Sequence, residues 1–398
     1  MFFEYEKKSK RPLEEFSWLK DGKFHVNPSD WAEIKERFPR KEIMVHLMGL
    51  IKEHQISPPL YEDSKSKILS EYRKMLNKTY SIEKASWNTH RVKNLDFLYL
   101  KEPVLLPLER PTAKRVSNYY MQEVRLASKF NTRKWSYLDE WNEILKGGLT
   151  FSPTLNATIH FENKYLRDYS FVVGGRLGGS FVSQFKPSVA KTVYDFFDAK
   201  SVLDFSSGWG DRLLGFLASN AESYIGIDPN TKLYERYKQI ENDFNNGKET
   251  KFICSPAEDV DYSKLRYDFA FTSPPYFDME LYNEEETQSV KRYPKLDLWL
   301  KGFLFKSLSK IYEGLDVGGR IAVNISDNAY RKIFVCKPMI EHMKSIGATY
   351  EGTVGYGLAR RPSEFEDKLS KEKSEPIFIW SKGEAKDPKW NQDNFFGV

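Results

Sequence analysis

Residues 267–277, Tyr-Asp-Phe-Ala-Phe-Thr-Ser-Pro-Pro-Tyr-Phe, leave the chain little conformational choice. Asp268 to Phe271 is a short, aromatic-rich apolar run that suits a buried strand. Pro274 and Pro275 cannot extend a sheet ladder, because each lacks an N–H and holds φ near about −65°. The strand therefore stops abruptly. At its carboxyl end it presents Ser273, two rigid carbonyls and the Tyr276 ring, on the edge where open α/β sheets bind ligands.

Strand and helix signals alternate around this stretch. Strands are expected at 201–205, 223–228, 251–254, 268–272, 318–325, 352–358 and 375–380. Helices are expected at 188–197, 211–219, 231–245, 297–313 and 333–345. Such alternation predicts a mostly parallel sheet, and two consecutive strands at the end predict an antiparallel edge.

A second motif precedes the first: Ser201-Val-Leu-Asp-Phe-Ser-Ser-Gly-Trp-Gly-Asp-Arg-Leu-Leu-Gly215. Here a strand ends in Asp204, Gly208 and Gly210 let the backbone turn tightly against a ligand, and a helix begins. The next strand ends in Asp228, an acid placed to accept hydrogen bonds from ribose hydroxyls. A lone Gly-x-Gly also suits a nicotinamide-dependent oxidoreductase, but Leu213 stands where the third glycine of that fingerprint belongs.

The Ser273 hydroxyl and the Pro274 carbonyl are two acceptors with no N–H beside them to compete. They suit the grip of an exocyclic nucleobase amine, a poor nucleophile whose lone pair is delocalised into the ring. Holding both its hydrogens favours a tetrahedral nitrogen. Tyr276 offers a flat face for a base drawn out of its stack. Positioning and electrostatics can carry such a transfer without a metal or covalent nucleophile.

Together the two motifs resemble the amino-methyltransferases of nucleic acids, which use S-adenosylmethionine (SAM) to make N6-methyladenine or N4-methylcytosine. The family's donor motif reads Asp-Pro-Phe-x-Gly-x-Gly. Asp204, Gly208 and Gly210 match it, while Phe205 and Ser206 depart from it. The catalytic motif, (Asp/Asn/Ser)-Pro-Pro-(Tyr/Phe), is matched in full by Ser273, Pro274, Pro275 and Tyr276. Phe185-Lys186-Pro187 matches a Phe-x-Pro-type segment. The resemblance runs from Phe171 to Trp380. It implies a Rossmann-like class I SAM methyltransferase sheet, SAM as cofactor and DNA as partner. It also implies that Phe185 to Pro187 border the methionine end of SAM, with Lys186 near its carboxylate. Pro256 occupies the usual place of the acid at the adenine, so Glu258 is the expected substitute. Serine at the first catalytic position leans toward cytosine N4; the donor motif preceding the catalytic one keeps adenine N6 open. An RNA substrate is the alternative within the same fold. A non-catalytic SAM-fold subunit that binds nucleic acid is another, and the intact Ser-Pro-Pro-Tyr speaks against it.

A chain of 398 residues suggests two domains. The expected division is a mainly helical 1–150, with a possible role in nucleic-acid recognition, and a catalytic 151–398. Residues 1–150 carry 28 lysines and arginines against 21 aspartates and glutamates, whereas the remainder carries 33 against 35. The basic surplus thus lies outside the SAM fold, which hints at phosphate contact. Within it Lys114, Arg115, Arg125, Lys129 and Arg133 are interleaved with Tyr119, Tyr120 and Phe130. On a continuous helix, Arg125, Lys129 and Arg133 share one face. The competing reading is an amphipathic helix whose aromatics are core.

Four glycines within 174–179 allow close backbone approach, either at a ligand or at a hinge. The polar loop 278–294 is long enough to order over a target, although Glu284, Glu285 and Glu286 suit a solvated tip. Arg360, Arg361 and Lys368 to Lys373 form another basic loop. Two cysteines and six histidines without ligand spacing predict no metal site. No apolar run approaches a membrane span, and the N-terminus lacks the order of a secretory signal. The expected location is the cytoplasm, or wherever the DNA lies.

Overall fold

The computed structural model describes residues 11–87, 89, 92, 102–130, 133–161, 164–358 and 374–389. The basic loop at 360–373 lies outside them. The chain forms two compact units, Met1–Glu62 with Arg125–Ser183, and Asp63–Val124 with Gln184–Val398. This division is discontinuous, where the sequence suggests a single boundary at residue 150. The reason lies in Val104–Leu106, read from the sequence as a proline-broken part of a helical domain. It is a strand of the large sheet instead. Pro103 and Pro107 flank it, at the sheet edge where proline is tolerated.

The first unit is largely helical, with a three-stranded antiparallel sheet of Leu19–Lys20, Lys23–Val26 and Leu166–Arg167. Its core gathers Trp31, Leu47, Ile51, Tyr137, Trp141, Leu155 and Phe171. Helix Pro28–Arg37 is capped by Asn27, whose side chain accepts from Asp30 N at 2.9 Å. Pro28 fills the first helical position, where its missing N–H has no intrahelical partner to lose. Gly174 lies inside helix Asp168–Leu177, and a Cβ there would collide with Thr158 of helix Pro153–His160. Its role is close helix packing.

The second unit holds an eight-stranded sheet. In chain order its strands are β1 (Val104–Leu106), β2 (Ser201–Asp204), β3 (Ser223–Ile227), β4 (Glu249–Ile253), β5 (Phe269–Thr272), β6 (Arg320–Asn324), β7 (Thr349–Gly357) and β8 (Ser374–Ser381). Their spatial order is β1-β7-β8-β6-β5-β2-β3-β4. β8 runs antiparallel to both neighbours and every other pairing is parallel. This is the Rossmann-like α/β sheet with an antiparallel edge region that the sequence pattern predicts. Helices α1 (Pro187–Phe196), α2 (Asp211–Ala218), α3 (Tyr234–Phe244), α4 (Lys306–Gly314) and α5 (Cys336–Ser345) accompany it.

All four residues of β5 and all eight of β8 are buried, as central strands covered on both faces must be. Each large apolar side chain so buried stabilises the sheet by about 1.5–3 kcal/mol. The chain leaves β2 outward to β3 and β4, then returns to β5 on the other side of β2 and continues to β6. β2 and β5 are thus parallel neighbours whose following connections diverge. That is the topological switch point, where a crevice opens beyond the carboxyl ends of the strands. Both sequence motifs begin at this crevice.

Candidate active site at the switch point

β2 ends in Asp204, which has no exposed surface. Its carboxylate accepts from Arg212 Nε at 2.9 Å, Tyr224 OH at 2.8 Å and Thr272 Oγ1 at 2.9 Å. One group thereby ties together α2, β3 and the end of β5. Asp204, expected at the cofactor, is saturated by protein donors at the base of the glycine turn and positions the loops above it.

Gly208 and Gly210 adopt φ of +54° and +70°, in the left-handed region that favours glycine. A Cβ at Gly208 would meet nothing closer than Ser206 O at 3.7 Å, so its backbone is open to approach. Gly210 is more confined, with Ile240 Cδ1 at 3.0 Å from the same hypothetical atom, and it leads directly into α2. Asp228 follows β3 and is half-buried. Its Oδ2 accepts from Gly208 N at 2.8 Å and its Oδ1 from Asn230 N at 3.0 Å. Burial pushes its pKa up to about 6, against the pull of those two hydrogen bonds. The acid assigned to a ribose therefore also fixes the glycine turn. Beside it, Asn230 Nδ2 is buried with no hydrogen-bond partner among the described residues.

The second loop leaves β5 at Thr272. Ser273 is half-buried, and no hydrogen bond from a described residue engages its hydroxyl. Pro274 is buried, while Pro275 and Tyr276 are half-buried. Phe277 takes φ +52°, a left-handed conformation that costs a bulky residue about 1–3 kcal/mol. Its buried ring stands 5.9 Å from Trp299, which helps hold it there.

Glu280 was not foreseen from the sequence. Its Oε2 accepts from Tyr276 N at 3.2 Å and from Tyr282 OH at 3.0 Å. It is 8% exposed, and burial pushes its pKa up to about 7, against those same bonds. The Tyr282 ring lies 5.2 Å from that of Trp209, the residue between the two turn glycines. A continuous path thus runs from the glycine turn through Trp209, Tyr282 and Glu280 to the backbone of Tyr276. The loop 278–294, read as a flap or a solvated tip, is docked in part: Glu285 accepts from Thr231 Oγ1, while Lys291 pairs with Glu284 at 3.3 Å within the loop.

Phe185 packs edge-on against Phe271 at 5.7 Å and Tyr356 at 5.5 Å. Lys186 Nζ donates to Gly357 O at 2.8 Å and lies 4.5 Å over the Tyr356 ring. Burial, together with Lys114, brings its pKa down to about 7. Pro187 starts α1 at the first helical position. Glu258 is 1% exposed and pairs with Arg292 Nη1 at 2.5 Å. Glu258, expected at an adenine, forms an ion pair that braces the loop after β4.

The basic residues do not form one face. Helix Lys114–Leu126 ends where Ser128 Oγ and N both donate to Arg125 O, and Lys129–Phe130 is extended. The four-residue spacing of Arg125, Lys129 and Arg133 therefore never becomes a helical stripe. Arg125 is 3% exposed, hydrogen-bonds Tyr61 and lies 4.7 Å over Phe181. Arg133 donates to Gly178 O and, at 3.1 Å, to Ser180 Oγ. Arg115 pairs with Asp63 at 3.1 Å. Lys114 and Lys129 are half-buried.

No family model matches the chain and no curated protein matches it. Among solved structures it is similar to a SAM-dependent methyltransferase from Methanosarcina mazei, at 14% identity over 48% of this chain and 96% of that one, TM-score 0.33. A second is an rRNA methylase from Streptococcus thermophilus, at 14% identity over 51% and 99%, TM-score 0.30. A third is TrmN from Thermus thermophilus, at 14% identity over 50% and 49%, TM-score 0.34. At these scores the likenesses carry no weight for what this chain does.

Proposed function

We propose that this chain is a SAM-dependent methyltransferase that transfers a methyl group to the exocyclic amine of a nucleobase in DNA, at cytosine N4 or adenine N6. One observation carries the reading. The Ser-Pro-Pro-Tyr loop and the glycine turn leave adjacent parallel strands at the switch point, and the Thr272 hydroxyl joins the two strand ends through Asp204.

The residues around the turn fit SAM. Gly208 offers an approachable backbone, Asp228 keeps lone pairs beyond its two backbone bonds, and the Asn230 amide is a buried donor in need of an acceptor. Lys186 is a buried amine whose charge an arriving carboxylate would stabilise. When bound, SAM supplies an electrophilic methyl group on a sulfonium.

The protein's own part is to orient the acceptor. Ser273 Oγ and the Pro274 carbonyl accept hydrogen bonds from the two amine hydrogens, so that the nitrogen lone pair is turned out of the ring; one of those protons passes to solvent once the nitrogen is methylated. Tyr276 supports the face of the extruded base, a contact worth about 1–3 kcal/mol. Glu280 holds the Tyr276 backbone in place.

The test is incubation with methyl-labelled SAM and separate DNA and RNA pools, followed by digestion and nucleoside mass spectrometry. The expected product is N4-methylated deoxycytidine or N6-methylated deoxyadenosine. Label in RNA alone would move the substrate to RNA. Calorimetric SAM binding without label in either pool would overturn the transfer and favour a non-catalytic module.

A further inference from the structure

After β6 the chain makes a short, tied-down projection. Asn328 N donates to Ile333 O at 2.8 Å and Ile333 N to Asn328 O at 3.0 Å, closing a four-residue turn. Within it, Arg331 N donates to Asn328 Oδ1 at 3.0 Å and Lys332 N to Ala329 O at 3.2 Å. Asp327 anchors the base of the turn, its Oδ1 accepting from Val335 N at 2.8 Å and Cys336 N at 3.0 Å. Tyr330 stands at the tip and is 97% exposed.

A single exposed aromatic is ordinary on a protein surface. The attachment of this one is not. Arg331 Nη2 bonds Asp278 Oδ2 at 2.7 Å, and Asn328 Nδ2 lies 3.1 Å from Met279 Sδ. Asp278 and Met279 directly follow Tyr276 and Phe277. The projection is therefore fastened to the end of the loop assigned to the target base. The Arg331 guanidinium is engaged in that fastening, which leaves the phenol ring and the exposed Lys332 at the front. No ion pair holds Lys332 among the described residues.

We propose that Tyr330 is a stacking finger for a nucleobase that flanks the target in the bound strand. The proposal rests on the reading of this chain as a nucleic-acid methyltransferase and adds a second contact to it. The ring offers a face that any base can stack on, so the contact is indifferent to sequence. Lys332 beside it supplies a cation for the adjoining phosphate. The rigid turn means that little order remains to be imposed on binding. An exposed tyrosine also suits a protein partner; the fastening to the target loop and the neighbouring cation favour a polynucleotide.

The experiment measures the affinity of the full chain for single-stranded DNA and single-stranded RNA, each carrying 2-aminopurine beside the target position, by fluorescence quenching and anisotropy. Tyr330→Ala should weaken binding to the preferred strand by about 5- to 150-fold and remove the quenching. Tyr330→Phe and Tyr330→Trp should restore both, and SAM affinity should not change in any of them. The separate DNA and RNA arms name the strand. Wild-type methyl transfer with unchanged affinity in Tyr330→Ala overturns the finger alone, and would leave the ring to a protein partner. Failure of the wild-type chain to bind either strand, with methyl transfer to the DNA or RNA pool intact, overturns the finger alone; absence of transfer to both pools overturns the functional reading.

Discussion

The loops at the ends of β2 and β5 differ from the basic segment 114–133 in what the fold holds fixed. In the loops it holds the backbone: prolines, left-handed glycines and the buried Asp204 set the path, and the Ser273 hydroxyl is left without a hydrogen bond from a described residue. In the basic segment it holds the side chains: Arg115 is paired with Asp63, Arg125 lies between Tyr61 and Phe181, and Arg133 bonds Gly178 and Ser180. A group whose backbone is fixed and whose side chain is uncommitted is ready for a ligand. Arg125 and Arg133, already enclosed by protein partners, belong to the scaffold, whereas the paired Arg115 stays exposed.

The sharpest way to break this contrast is Asp204→Ala. It strips Arg212, Tyr224 and Thr272 of a shared acceptor and leaves a buried guanidinium unpaired. The expected loss is about 3–5 kcal/mol of stability, read from the midpoint of urea unfolding. A wild-type midpoint would mean that the two loops are not held by one carboxylate.

Lys186 gives a smaller effect with a definite sign. Its pKa of about 7 means that it is largely neutral in the free protein above that pH. A bound carboxylate favours the charged amine and raises this pKa. SAM binding should therefore take up a proton above about pH 7, with affinity falling by up to about tenfold per pH unit, and should be flat below it. Calorimetry in buffers of different ionisation enthalpy reads the proton directly. Lys186→Met should abolish the uptake; its persistence in that variant would assign the proton elsewhere.

The smallest effects separate scaffold from surface within the basic segment. Arg125→Met should cost about 1 kcal/mol of stability and leave the salt dependence of DNA binding unchanged. Lys114→Ala should leave stability within about 0.5 kcal/mol and lower the salt slope by up to about one. A lowered slope in Arg125→Met would restore the segment as an interface.

The sheet was legible because its strands are buried apolar runs ended by residues with fixed backbone preferences. Pro274 and Pro275 stop β5, and Gly208 and Gly210 turn the chain after β2. β1 was not legible, since three apolar residues between prolines read as an interruption and become a strand only by pairing with β7. The protein partners of Asp204 were not legible, because a strand-end acid before a glycine turn serves a ligand or a nearby arginine equally well in sequence; here Arg212 engages it. Glu280 escaped notice because its acceptor role is toward the backbone of Tyr276, which no residue spacing advertises. The helical stripe of Arg125, Lys129 and Arg133 failed on Ser128, whose hydroxyl ends the helix early.

The claim beneath all of this is that Ser273 grips the amine and does not serve the cofactor. Single-turnover methyl transfer at saturating SAM, compared between wild type and Ser273→Ala, tests it most directly. The account predicts a rate about 100-fold lower in the variant, with the calorimetric SAM affinity changed by less than about twofold. An unchanged rate, or a loss confined to SAM binding, would contradict it.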